Sequence, residues 1–184
     1  MSAILGNEQL SEILIGHQRF RLETLPQYSV GDDGVDYERF IAGAPEPTWE
    51  RKRPWMDVLC ADRAAGRGAT RVRILSEQLT DYERYACEWG YALNAEAGED
   101  IRVLHRGEHT IPEAPFIDRD FWIVDGEQVA LMHYDEHGRF VGAELAPPSD
   151  GRAYHYTREV AWELAEPFVE WWARHPELHR KVTA

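Results

Sequence analysis

The chain has 184 residues, a length that favours one folded domain, and 43% hydrophobic content with seven tryptophans is enough for a real core. A net charge of −13 excludes a general binder of nucleic acid or of anionic membrane, because a phosphate surface would repel it. No run approaches the roughly 20 apolar residues that a spanning helix needs. Met1–Phe20 has no basic start followed by a long apolar stretch, so no signal peptide is expected and a cytoplasmic location is the default. Cys60 and Cys87 are too few for a disulfide framework and too far apart for CxxC chemistry. Each is expected in a helix as a small buried hydrophobe.

In chain order, Asn7–His17 can form a short helix, with Leu10, Ile13 and Leu14 on one face. Arg19–Tyr28 reads as extended or mixed and ends before the turn cluster Gly31–Asp32–Asp33–Gly34. Tyr37, Phe40 and Ile41 suggest another short helix or turn, and Pro45, Pro47 and Pro54 punctuate a loop. Trp55–Ala65 has helical spacing and stops at Gly66 and Gly68. Arg71–Leu75 alternates polar and apolar residues as a strand. Thr80 is a fair N-cap for a helix over Asp81–Leu93, which Asn94–Gly98 breaks. Ile101–Leu104 reads as a short buried strand and His105–Pro115 as a loop.

Phe121–Val124 and Gln128–Tyr134 flank Asp125–Gly126, the strongest hairpin signal in the chain. After the turn at Glu136–His137–Gly138, Phe140–Leu145 predicts a third strand. Thr157 can cap a last helix, Arg158–His175, kinked at Pro167, with Trp171 and Trp172 on its apolar face. This order predicts an α/β or α+β domain: a mixed sheet with an antiparallel hairpin and helices packed on it. The whole chain, 1–184, is read as one domain, with 1–50 an N-terminal extension packed on a core of 51–184.

Residue chemistry alone names no reaction. Three H-x3-H spacings occur, His105/His109, His133/His137 and His175/His179, each with an acid nearby. None has the HExxH order of a metalloprotease. His133 and His137 are the pair taken as a candidate metal site. Seven basic residues fall between Arg51 and Arg73, and with Gly66 and Gly68 they could hold a phosphate, although the glycine spacing matches neither a P-loop nor GxGxxG. On a strand, Arg71 and Arg73 share a face, where one can pair with a carboxylate such as Glu99. Asp120, Asp125, Glu99 and Asp100 are the acids nearest the sheet. Asp125 suits the first position of the turn. No serine sits in a GxSxG elbow, and no motif calls for a cofactor. The candidate ligand residues are therefore Arg71, Arg73, Glu99, Asp120 and Trp122.

Phe20–Arg21–Leu22–Glu23 with Tyr28, Trp55, Arg71–Val72–Arg73, Leu79–Thr80–Asp81–Tyr82, Ala97–Gly98–Glu99–Asp100, Asp120–Phe121–Trp122, Asp125, and Tyr134 with Gly138 carry a family resemblance. The chain resembles an uncharacterised actinobacterial family, a domain of unknown function often encoded beside XRE-type helix-turn-helix regulators. The strand order is also similar, more weakly, to the phospholipase-D-like fold. The only H-x-K here is His179–Arg180–Lys181, with no following Asp, and Asp120 stands where that fold's catalytic His is expected, so the resemblance implies a degenerate, non-catalytic member. Together these imply a non-enzymatic regulatory or interaction protein whose partner is a helix-turn-helix regulator. The alternative is a small-molecule or phosphate-binding domain, or a divergent phosphodiesterase-like enzyme.

Overall fold

The computed structural model describes residues 4–29 and 33–180. Its elements are β1 (Ile4–Leu5), α1 (Asn7–Leu14), β2 (Arg19–Glu23), α2 (Asp33–Ile41), α3 (Trp49–Ala64), β3 (Ala69–Leu75), α4 (Asp81–Tyr85), a π-helical segment (Ala86–Tyr91), α5 (Ala92–Ala97), β4 (Asp100–His105), β5 (Phe121–Val124), β6 (Gln128–Tyr134), β7 (Phe140–Leu145), α6 (Gly151–Leu164), β8 (Glu166–Pro167) and α7 (Phe168–Arg174). The turn expected at Gly31–Asp32–Asp33–Gly34 falls partly outside the described residues, as does Lys181.

The strands form one eight-stranded mixed sheet in the order β1-β7-β6-β5-β2-β3-β4-β8. β2, β3 and β4 run parallel, each joined to the next by helices, and β5, β6 and β7 continue the sheet antiparallel. The hairpin between β5 and β6 turns at Asp125 and Gly126, both at positive φ (50° and 71°), as a type I′ turn requires. The Asp125 carboxylate accepts the Gln18 N–H at 3.0 Å and lies 2.7 Å from His17 Nδ1, which pins the turn to the start of β2. β2 belongs to the segment expected as an extension, yet it lies in the middle of the sheet.

Strand alternation sorts the residues onto two faces. Phe20 and Leu22 of β2, Val72 and Ile74 of β3, Leu104 of β4, and Phe121 and Ile123 of β5 make one apolar face, covered by Tyr154 and Ala161 of α6. The opposite face is polar at its centre: Arg19, Arg21 and Glu23 alternate along β2, and Arg71 and Arg73 along β3. Ringed around that centre are α1, whose Leu10 and Leu14 pack with Trp122 and Val124, and an aromatic cluster that includes Tyr82, Tyr85, Trp89 and Tyr91 with Phe168 and Trp171 of α7.

Several expected boundaries move. The helix placed over Trp55–Ala65 begins at Trp49, so Pro54 lies inside α3 rather than in a loop. Proline's φ suits a helix, and what the turn loses is one N–H. Asp36 secures the start of α3 by accepting from the Thr48 N–H and hydroxyl. Thr80 caps α4 as expected, in a reciprocal box with Glu83. The helical run continues past Leu93 to Ala97, and Gly98, at φ 113°, ends it.

The helix expected over Arg158–His175 is two helices. Proline disfavours helical backbone in the residue before it, and Glu166–Pro167 instead pairs as a strand with Arg102 and Val103 of β4. Helix α6 therefore begins at Gly151, and Thr157 is not its cap but lies mid-helix, bonding to the carbonyls of Ala153 and Pro115. Cys87 is buried as expected, whereas Cys60 is exposed.

Candidate functional site

The polar centre of the sheet forms the floor of a pocket of about 480 Å³. Arg21 and Glu23 of β2, Arg71 of β3, Trp122 of β5 and Tyr134 of β6 face it from the sheet. Its walls are Asn7, Leu10 and Leu14 of α1, Arg51, Lys52, Trp55 and Met56 of α3, and Tyr82, Tyr85, Tyr91 and Asn94 of the α4–α5 run. The π-helical segment admits one more residue per turn than an α-helix, and it places both Gly90 and Tyr91 on the pocket wall.

The floor is a chain of ion pairs set by strand register. Arg21 stands beside Arg71 and Glu23 beside Arg73 on the parallel pair β2–β3. Glu23 joins both Arg21 (2.9 Å) and Arg71 (2.6 Å) and accepts the Tyr91 hydroxyl at 2.8 Å. Arg71 also donates through Nε to Glu99 at 2.8 Å, and Asn94 bonds the other Glu99 oxygen at 2.8 Å. On the antiparallel side Arg21 pairs in register with Trp122 and lies over its ring at 4.8 Å. Among the described residues, Arg21 Nε and Trp122 Nε1 have no hydrogen-bond partner.

These contacts fix the charge states. Burial works to raise the Glu23 carboxyl, but the charges of Arg21, Arg71 and Arg73 outweigh it and hold the group well below the usual carboxylate range. Burial works to lower the three arginines, and on Arg21 and Arg71 the Glu23 charge, the largest opposing influence, joins smaller ones that together outweigh it and raise both groups. Burial pushes the Tyr28, Tyr91 and Tyr134 phenols up, so all three are neutral donors at physiological pH.

The residues singled out from the sequence occupy different depths of one network. Arg71 and Trp122 line the pocket, and Glu99 stands behind Arg71. Arg73 is sealed below the floor, where it bonds the Leu25 carbonyl at 2.5 Å and Glu83 at 3.4 Å. Asp120 accepts from the Tyr28 hydroxyl at 2.5 Å and from the Thr24 N–H and hydroxyl, and faces a smaller cleft of about 280 Å³ instead. The alternation Arg19-x-Arg21-x-Glu23, the same signal that put Arg71 and Arg73 on one face, also marks Arg21 and Glu23 as floor residues. The tyrosines of the wall carry no spacing that distinguishes them from core.

His133 and His137 are not brought together as metal ligands. His133 lies on β6, 3.5 Å from Glu144, while His137 sits in the following turn, 3.7 Å from Glu136. An i, i+4 spacing shares a face on a helix, and this segment is a strand end and a turn. Among the described residues, the group of three ligand atoms within 4.8 Å of one another is Glu108, His109 and Glu166.

Among the described residues, no helix is long and apolar enough to cross a membrane. No curated protein and no solved structure matches the chain. The model of a family described as a domain of unknown function (DUF6879) matches residues 10–173, a span that holds the whole ion-paired floor from Arg21 to Trp122, and the chain belongs to that family.

Proposed function

We propose that the domain is a non-enzymatic binding module that takes up a small anionic molecule with an aromatic body. One observation carries this reading. In a protein of net charge −13, four cationic side chains, Arg21, Arg51, Lys52 and Arg71, line the pocket against one lining carboxylate among the described residues, Glu23. Such a pocket concentrates anions that the rest of the surface repels. The aromatic walls supply stacking faces, and the convergent polar groups on the floor orient the guest. An equally large cleft lined by Glu127, Gln128, Val129 and Pro147 has no cation among the described residues and offers no such selectivity.

A phosphodiesterase-like activity descended from a phospholipase-D-like fold would also use a cationic pocket, but among the described residues no histidine lines this one. The test is a panel of phenyl phosphate, benzoate, phenol and benzamidine, read by thermal shift and calorimetry. The two anions should stabilise the protein, and phenol and benzamidine should not. Arg51→Gln and Lys52→Gln, at the mouth rather than the floor, should weaken the anions selectively. Equal responses to anion and cation, or none to any probe, would sink the proposal.

A second reading, regulation through a protein partner, rests on the acidic charge. An acidic surface complements the basic DNA-facing side of a helix-turn-helix regulator of the XRE type, as the resemblance to an actinobacterial family implies. Co-purification with such a regulator, abolished by moderate salt, is the outcome it requires.

A further inference from the structure

We propose that Glu108, His109 and Glu166 bind a divalent transition-metal ion of the zinc class and so fasten the C-terminal helix to the loop after β4. The site is independent of the pocket. It gathers residues that are distant in sequence: His105 at the end of β4, Glu108 and His109 in the loop beyond it, Glu166 on β8, and His175 directly after α7.

The spacing is that of a coordination shell. Donors about 2.0 Å from a tetrahedral ion lie roughly 3.3 Å from one another. Here His109 Nε2 is 3.2 Å from Glu166, and His175 Nε2 is 2.9 Å from Glu108. One ligand atom each from Glu108, His109 and Glu166 falls within 4.8 Å of the others. Mixed imidazole and carboxylate donors suit zinc and its neighbours rather than calcium or magnesium.

Two histidine rings beside the cluster keep nitrogens without a hydrogen bond. Despite its 2.9 Å approach to Glu108, His175 Nε2 makes no hydrogen bond, and neither does Nδ1 of the same ring, among the described residues. His105, only 8% exposed, leaves Nδ1 unpartnered 3.6 Å from Glu108, while its Nε2 meets the Glu77 carbonyl at 3.1 Å.

Outer contacts orient the carboxylates, as metal sites require. Trp171 Nε1 donates to Glu108 at 3.0 Å, and Arg174 forks onto Glu166 at 2.8 and 3.0 Å. An ionised carboxylate keeps further lone pairs when so held. His109 Nδ1 accepts the His105 N–H at 3.0 Å, which puts the ring proton on Nε2; binding a metal there releases that proton and turns Nδ1 to the His105 carbonyl at 3.3 Å. Gly107 permits the tight turn: a Cβ there would stand 2.9 Å from the His105 ring.

Protein stripped with a chelator and titrated with Zn²⁺ in competition with a chromophoric chelator should take up one equivalent and gain thermal stability. Co²⁺ in its place should give the visible absorption of a tetrahedral site. His109→Ala and Glu166→Gln should abolish the stoichiometric site, Trp171→Phe should weaken it by about tenfold, and His133→Ala should leave it intact. For wild-type protein, the side-chain nitrogen resonances of His109 and His175 should move on adding Zn²⁺ while those of His133 and His137 stay. This readout holds even where a variant fails to fold. Absence of a stoichiometric site, uptake that survives the double variant His109→Ala/Glu166→Gln, or shifts confined to other histidines would overturn the proposal.

Discussion

Glu23 and Arg71 close a 2.6 Å ion pair across two neighbouring parallel strands, with their side chains 7% and 6% exposed. The same carboxylate holds Arg21 and the Tyr91 hydroxyl, so it is the hub of one buried and one half-buried guanidinium group. Replacing it takes from Arg21 its nearest carboxylate and leaves Arg71 with Glu99 alone. Glu23→Gln should cost about 3–5 kcal/mol, the range for removing one partner of a buried pair, measured by urea denaturation at neutral pH. A cost below about 1 kcal/mol, the range for an exposed pair, would show that solvent reaches the floor.

The same hub sets the acid response. The Glu23 carboxyl is held well below its unfolded value, so its contribution is complete above the unfolded pKa of about 4.3 and is lost as pH falls through the lower folded value. Asp62 adds in the same direction. Burial works to raise its carboxyl, but hydrogen bonds from Arg19 and Arg67 more than offset this and lower it. In that acidic window the unfolded chain binds more protons, so stability should rise with pH. Urea midpoints measured from acid to neutral pH should show this rise, and Glu23→Gln should flatten it.

Two glycines at positive φ separate backbone strain from collision. At Gly126 an added Cβ meets nothing within 4 Å, so Gly126→Ala should cost only about 1–2 kcal/mol for the left-handed conformation. At Gly138 the added carbon would stand 2.6 Å from the Gln27 carbonyl oxygen. Its own carbonyl accepts the Ser29 N–H at 2.9 Å, so this contact clamps the loop that carries Tyr28 to the floor. Gly138→Ala should therefore cost clearly more than Gly126→Ala in parallel denaturation curves, and equal costs would contradict the packing.

The thiols should differ in reactivity. Cys60 is exposed on α3, while Cys87 is fully buried and burial pushes its thiol up. A thiol reagent should label Cys60 in the native protein and reach Cys87 only after unfolding, as peptide mass mapping would show.

Local signals made parts of this fold legible. The Asp125–Gly126 turn, β7, the Thr80 cap and the pairing of Arg71 with Glu99 all follow from residues close in sequence or from simple alternation. What stayed hidden depends on partners far away. Arg21 and Glu23 meet Arg71 only because two helices return the chain to a parallel register. Pro167 reads as a kink in a helix until β4 is present to accept it as a strand. Pro54 marked a loop because a proline penalty is local, whereas the Asp36 contact that fixes the start of α3 is not. His109 and His175 belong to two separate spacing patterns, and only the fold sets one beside Glu166 and the other beside Glu108.

The central place of β2 has a consequence for how the chain comes together. Its residues are synthesised about a hundred residues ahead of β5, yet Arg19 must find Val124 before the sheet is continuous. A ribosome-bound chain can dock β2 on β3 early, but the antiparallel half must then add to a strand whose other edge has stayed open. Such non-local pairing slows folding and exposes an unpaired strand edge during synthesis. The alternating charges of Arg19, Arg21 and Glu23 give that waiting edge a means of resisting pairing with other chains.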